Sequence, residues 1–304
     1  MLSIPDLATQ IVDKSIKQST DINCSTIFVV GNKSVGKSTL LYSFLDKTDN
    51  LRETLILEYL FGRKSVQKQG IDKNICHVWE YGGSLNMLKN VLPSVPIRGN
   101  YTYCIMLDLS KVKHIWHTLE TSVKAFQDSI NMNVLIKKEP ELIIIGGKYD
   151  IFKNYDMEIK KVICNSLRSV AVLLKGNLIF FSSKEQPLVR RVKEVFHGIG
   201  FGNGFPVKDK VSNFNKPIYI PKGLDSWENI GIAPSTMEQI KARHLSMVPS
   251  ETEIQKVPST GTVQGSTSTY AEPMLDNLVK LKYNDLRNLS SLDVSMNIDF
   301  YNES

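Results

Sequence analysis

The stretch Val29-Val30-Gly31-Asn32-Lys33-Ser34-Val35-Gly36-Lys37-Ser38-Thr39-Leu40-Leu41 decides the reading of this chain. Gly31, four intervening residues, then Gly36, Lys37 and Ser38 complete the phosphate-loop pattern G-x-x-x-x-G-K-S/T. Chemistry sets that spacing. Glycines let successive backbone N–H groups curl around phosphate oxygens, and a helix opening at the loop adds its dipole. Lys37 reaches the outer phosphates, and the Ser38 hydroxyl can take a place on Mg2+. The context agrees, because the motif follows the apolar run Thr26–Val30 and opens a helical pattern. The phosphate-side candidates are Gly31, Ser34, Val35, Gly36, Lys37, Ser38 and Thr39, with Ser38 also the candidate metal ligand.

Outward from the loop, apolar runs recur at 26–30, 54–61, 75–81, 101–109, 141–146 and 177–181. They are short, nearly continuous and rich in β-branched or aromatic residues, as strands buried on both faces should be. Helix-like stretches near 37–47, 84–91, 112–132, 154–174 and 187–198 separate them. Such alternation predicts an α/β fold with a mostly parallel, six-stranded sheet between helices.

The ends of the later strands carry what a guanine-binding site needs. ICHVWEYGGS offers Glu80-Tyr81-Gly82-Gly83 where a Ras-like GTPase carries D-x-x-G, and the longer Glu would move the water-mediated contact to Mg2+. ELIIIGGKYD supplies Lys148 and Asp150 of N/T-K-x-D, with Gly147 in place of the Asn. Asp150 can accept two hydrogen bonds from guanine, and the Lys148 stem can cover the base. Ser182, Ser183 and Lys184 follow the sixth strand, close to the S-A-K element whose backbone amide reads guanine O6. Each piece alone is weak; their shared order at successive strand ends is the signal, because ligands bind at the carboxyl ends of parallel strands. The chain therefore reads as a Ras-like phosphate-loop G domain whose cofactor is GTP or GDP with Mg2+.

The catalytic parts are poorer. Thr39, Thr48 and Thr54 are the only candidates for a Thr that closes over the metal and the γ-phosphate. Thr39 lies in the loop's own helix, and the other two fall at or before the second strand. Ser84 stands where many GTPases place the Gln that orients water. Intrinsic hydrolysis is slow even with that Gln, so the reading is a nucleotide holder rather than an enzyme, with a slow GTPase switch as the alternative.

Composition bounds the rest. The chain has 304 residues, 42% of them hydrophobic, enough for one sizeable core with length left over. No apolar run approaches the ~20 residues of a membrane-crossing helix, so no membrane insertion is expected. The first eighteen residues carry charges throughout and no apolar signal core. Cys24, Cys76, Cys104 and Cys164 lie far apart without C-x-x-C spacing, as expected of free thiols in a reducing cytosol. The net charge of +6 is spread along the chain, without the clustered basic residues of a nucleic-acid partner. The expected organisation is an N-terminal helix in 1–24, the G domain over 25–204, and an extension packing on it over 205–246. A disordered linker at 247–273 and a terminal helix and tail at 274–304 complete it. Leu275, Leu278, Val279, Leu286 and Leu289 form an apolar face in that terminal helix.

GNKSVGKSTLL, LEYLF (57–61), NICHVWEYGGS (74–84) and DSWENIG (225–231) together resemble the dynein light intermediate chains, nearest the form belonging to cytoplasmic dynein-2. The resemblance covers most of residues 1–235. It implies a Ras-like domain serving as a non-catalytic subunit that stabilises the dynein-2 heavy chain, beside other dynein-2 subunits, for retrograde intraflagellar transport and cilium assembly. It implies residence in the cytoplasm, on the cytoskeleton and in the cilium, at the ciliary base and along the axoneme. Family members vary in how well they keep the GTPase motifs. The long adaptor-binding tail of the dynein-1 relatives is not evident here.

Overall fold

Every residue of the central strand β1 (Cys24–Gly31) from Ser25 onward is buried. Ile27 and Val29 point to one side, and Phe28 and Val30 to the other. A strand apolar on both faces must be covered on both faces, and this requirement organises the molecule. A computed structural model of the chain describes residues 23–48, 50–65, 73–132, 139–202, 204–207, 210–248 and 277–285. Around β1 lie β2 (Leu57–Ser65), β3 (Lys73–Tyr81), β4 (Asn100–Asp108), β5 (Glu141–Gly147), β6 (Asn177–Phe180) and β7 (Tyr219–Ile220). Their order is β2-β3-β1-β4-β5-β6-β7; β2 and β7 run antiparallel to their neighbours and the other pairings are parallel.

One face is covered by α1 (Lys37–Phe44) and α6 (Gln186–Phe201), where Leu40, Leu41 and Phe44 meet Val192, Val195 and Phe196 over Ile27, Val29 and Val78. The opposite face is covered by α3 (Ile115–Met132) and α5 (Met157–Leu173), with Trp116, Leu119, Ile163 and Leu167 over Phe28, Tyr103 and Ile105. The four-residue helices α2 (Leu88–Val91), α4 (Tyr149–Phe152) and α7 (Trp227–Ile230) and the longer α8 (Met237–Met247) complete this part of the chain. It is the Ras-like, three-layer phosphate-loop architecture.

Three local outcomes differ from the sequence reading. Among the described residues the sheet has seven strands rather than six, because Tyr219–Ile220, read as loop, pairs with Leu178 and Ile179 on the β6 edge. The second strand begins at Leu57 rather than Thr54 and runs on through Gly62-Arg63-Lys64-Ser65. Those polar residues tolerate a strand because β2 is the sheet's outer edge, where one side is free to face water. The helix expected at 84–91 is a 3-10 turn, the single turn α2 and a second 3-10 turn that includes Pro93.

The segment after residue 205 packs on the sheet and on α5. α8 begins at a capping box in which the Thr236 hydroxyl accepts from the Gln239 amide and the Gln239 side chain accepts from the Thr236 amide. Met247 closes α8 and Val248 is buried against the core. Contacts divide the chain into Met1–Glu253 and Ile254–Ser304. In the second unit residues 277–285 are helical. Leu275, Leu286 and Leu289, residues 1–22 of the expected N-terminal helix and the linker beyond residue 248 lie outside the described residues.

Candidate functional site

The phosphate loop takes its shape from backbone as much as from side chains. Gly36 caps α1 with φ 103°, a left-handed conformation that glycine adopts without strain. The loop faces a cleft of about 340 Å3 lined by Ser34, Gly36, Lys37, Ser38 and Thr39 on one side and by Leu51, Arg52, Glu53 and Thr54 on the other. Glu80 and Gly82 also line it. Gly31 and Val35 support the loop: Gly31 pairs with Met106 across β1 and β4, and Val35 is buried in the core.

Lys37 lies folded over the loop, its ammonium donating to the carbonyls of Gly31 at 3.0 Å and Asn32 at 2.9 Å. Burial pushes its pKa down to about 8; Lys33 adds to the fall and Glu80 opposes it. A second brace crosses to α3, where the Thr118 hydroxyl donates to Asn32 Oδ1 at 2.6 Å. Ser38 donates to Glu80 Oε1 at 2.7 Å. Glu80 is 2% exposed, and its Oε2 is buried without a hydrogen-bond partner among the described residues. Burial raises the Glu80 carboxyl and Glu58 adds to the rise, against the opposing pull of the Ser38 hydrogen bond, of Lys37 and of the nearby Thr54 hydroxyl.

Thr54, one of the three threonines considered for closing over the metal, lies three residues before β2 starts at Leu57; it sits on the cleft wall and donates to Glu58 at 2.9 Å. The segment is held against the loop after β3: the Gly82 amide donates to Ile56, and a Cβ at Gly82 would stand 1.9 Å from the Thr54 carbonyl oxygen. The signal was that glycine, one residue past a strand and without a side chain.

The base-side candidates gather at the ends of β5 and β6. Lys148 has φ 58° and caps α4, and its ammonium reaches Asp108 at the end of β4, 2.7 Å away. Asp150 accepts from the Ser182 hydroxyl at 2.7 Å and pairs with Lys184 at 3.0 Å. Burial alone would raise its carboxyl; those two partners outweigh it and hold the pKa below the usual aspartate value. Ser182 is buried, whereas Ser183 is exposed. Gly147 is tightly packed: a Cβ there would lie 3.0 Å from Met106 Cε and 3.2 Å from both Val35 Cγ2 and the Val35 carbonyl oxygen, so those neighbours would have to give by a few tenths of an ångström. The strand end thus packs directly on the phosphate loop, where an asparagine would have braced it by hydrogen bonds.

No protein-family model matches the chain. Among curated proteins it is 31% identical to "Cytoplasmic dynein 2 light intermediate chain 1" of Danio rerio over 252 residues, covering 72% of this chain and 69% of that one. The Rattus norvegicus protein of the same name is 33% identical over 249 residues, 70% of each chain. "Septum-promoting GTP-binding protein 1" of Schizosaccharomyces pombe is 24% identical over 167 residues, 55% of this chain and 79% of that one. The solved conserved domain of the dynein light intermediate chain overlaps with a TM-score of 0.47 at 12% identity, covering 73% of this chain and 89% of that one. Identity above 30% over more than two thirds of both chains decides the assignment: this chain belongs to the family of cytoplasmic dynein-2 light intermediate chains.

Proposed function

We propose that this chain is a non-motor subunit of the dynein-2 complex, docked on the heavy chain and acting in retrograde intraflagellar transport, with a guanine nucleotide held as part of its fold. The carrying observation is the kinship with dynein-2 light intermediate chains over about 250 residues, well beyond the short nucleotide motifs. The nucleotide part rests on the cleft. Lys37, the amides at the start of α1 and the Ser38 hydroxyl suit a diphosphate with Mg2+, and the unpartnered Glu80 oxygen beside Ser38 suits a hard cation. Mg2+ neutralises phosphate charge when bound. The chain's own residues hold the phosphates and keep the loop closed, and Asp150 offers its carboxylate to the base.

Slow turnover follows from what the site lacks. Ser84 has no carboxamide with which to orient water, and assisted catalysis gains roughly 10³–10⁵ only when an arginine is supplied in trans or in cis. Thr54 on the cleft wall favours a second reading, a slow GTPase switch. The two are separated by denaturing the purified protein, quantifying released GDP and GTP by chromatography, and following phosphate release under excess GTP. Retained guanine nucleotide with less than one turnover per hour supports the structural reading. Sustained multiple turnover supports the switch.

A further inference from the structure

The residues around Ser38 form a string of oxygen donors. In the antiparallel register of β2 and β3, Glu58 stands directly opposite Glu80. Like charges directly opposite one another across a ladder destabilise it. Thr54 caps Glu58 by donating to Oε2, and Ser38 donates to Glu80 Oε1. Among the described residues Glu80 Oε2 is buried without a hydrogen-bond partner, a costly condition for a carboxylate that a bound cation would relieve. Lys37 gives its hydrogen bonds to Gly31 and Asn32 and acts on Glu80 only as a nearby charge.

Ser38 Oγ and Glu80 Oε1 are 2.7 Å apart. Two neighbouring ligands on an octahedral ion with bonds of ~2.1 Å stand about 3 Å apart. Once the hydroxyl proton turns away, Ser38 Oγ and Glu80 Oε1 already form one edge of such a shell, and the charge of an ion held by Oε1 also offsets the buried Oε2 of the same carboxylate. Glutamate also carries one methylene more than aspartate, about 1.5 Å of added reach, roughly what is needed to do without an intervening water.

We infer that Glu80 is a direct ligand of the divalent cation in this cleft, displacing the water through which a shorter carboxylate would act. The inference rests on the nucleotide-binding reading and specifies how its metal is held. It makes the cation integral to the site, because Glu80 next to a diphosphate without a cation would place anion against anion.

The test uses the full chain with Mn2+ and GDP. Calorimetry first measures GDP binding with Mn2+ and with EDTA. Electron paramagnetic resonance in 17O-enriched water then counts the waters on bound Mn2+. With Ser38, one phosphate oxygen and Glu80 on the ion, about three waters remain; a water-mediated Glu80 leaves about four. Glu80→Asp is expected to raise the count by one, and Glu80→Gln to weaken Mn2+ at least tenfold. About four waters on the unaltered protein, or equal counts in the unaltered protein and Glu80→Asp, overturns the inference while leaving nucleotide binding intact. Absence of GDP binding with or without Mn2+ overturns the nucleotide reading, and the inference falls with it. The water count on the unaltered protein decides the matter even if a variant fails to fold.

Discussion

Removing Arg168 should loosen the segment that carries the DSWENIG signature. Arg168, on α5, donates from Nε to Asp225 Oδ2 at 2.8 Å and from Nη2 to Oδ1 at 2.9 Å. It also reaches the Asn229 carbonyl at 3.1 Å, and Lys210 donates to Asp225 Oδ1 at 2.8 Å. The Arg168 and Asp225 side chains are 7% and 3% exposed, so neither charge has water to fall back on. Breaking a buried pair by deleting one partner costs about 3–5 kcal/mol. In Arg168→Ala, Lys210 still neutralises Asp225, which places the loss near ~3 kcal/mol. Asp225→Ala strands both cations and should lose about 4–5 kcal/mol. Lys210→Ala removes a partner that is 21% exposed and should lose about 1 kcal/mol. For a domain of this size the Arg168→Ala loss is a fall in Tm of roughly 6–12 °C. Replacing both charges at once, as Arg168→Met with Asp225→Leu, should cost less than Asp225→Ala alone, because no charge is left stranded. Urea unfolding followed by circular dichroism at pH 7 reads all four variants. An Arg168→Ala protein within about 1 kcal/mol of the unaltered one, or an Asp225→Ala no worse than Lys210→Ala, would refute the reasoning.

Further outcomes follow from the same geometry. Lys37→Ala should abolish the nucleotide-dependent gain in stability, which is about 2.7 kcal/mol at one hundred times the dissociation constant, as read by thermal melts with and without Mg·GDP. Gly147→Asn, which recreates the usual guanine motif, should destabilise the protein by roughly 1–3 kcal/mol and fail to improve GDP affinity, because its Cβ meets Val35 and Met106. Asp150→Asn should weaken GDP by about 1.5–3 kcal/mol and relax preference toward xanthine nucleotides; equal binding of GDP and ADP by the unaltered protein would contradict this. His244, buried beside Trp116, has its pKa pushed down by burial to about 4. The unfolded chain protonates it first, so its contribution is complete above pH 6.5 and is lost between about 6.5 and 4, of order 3 kcal/mol in all. His244→Phe should flatten melting temperature across that window.

Much of the fold was legible because β1 and β4 to β6 announce themselves by apolar runs buried on both faces, and the phosphate loop fixes which strand is first. What was not legible lay at the edges. Arg63 and Lys64 look like loop residues because an edge strand need not be apolar, and Tyr219–Ile220 is a strand only because the β6 edge offers partners. In the site, Ser38, Glu80, Asp150 and Ser182 could be placed from motif spacing. The pairings of Thr54 with Glu58, Asn32 with Thr118 and Lys148 with Asp108 could not, because they span 4 to 86 residues and depend on how loops close. Gly147 carried a signal that spacing alone does not reveal: it stands where an asparagine would, and it packs closely against the phosphate loop.

The central claim is that this chain works as a dynein-2 subunit, and isolating it from ciliated cells of its own organism tests that most directly. A tagged full-length chain, expressed from its own locus and purified under mild salt, should bring down the dynein-2 heavy chain in near-constant ratio by quantitative mass spectrometry. Truncation after Val248 should lower that ratio if the terminal helix takes part in docking. Recovery of the intact, folded chain with no dynein-2 heavy chain would contradict the account.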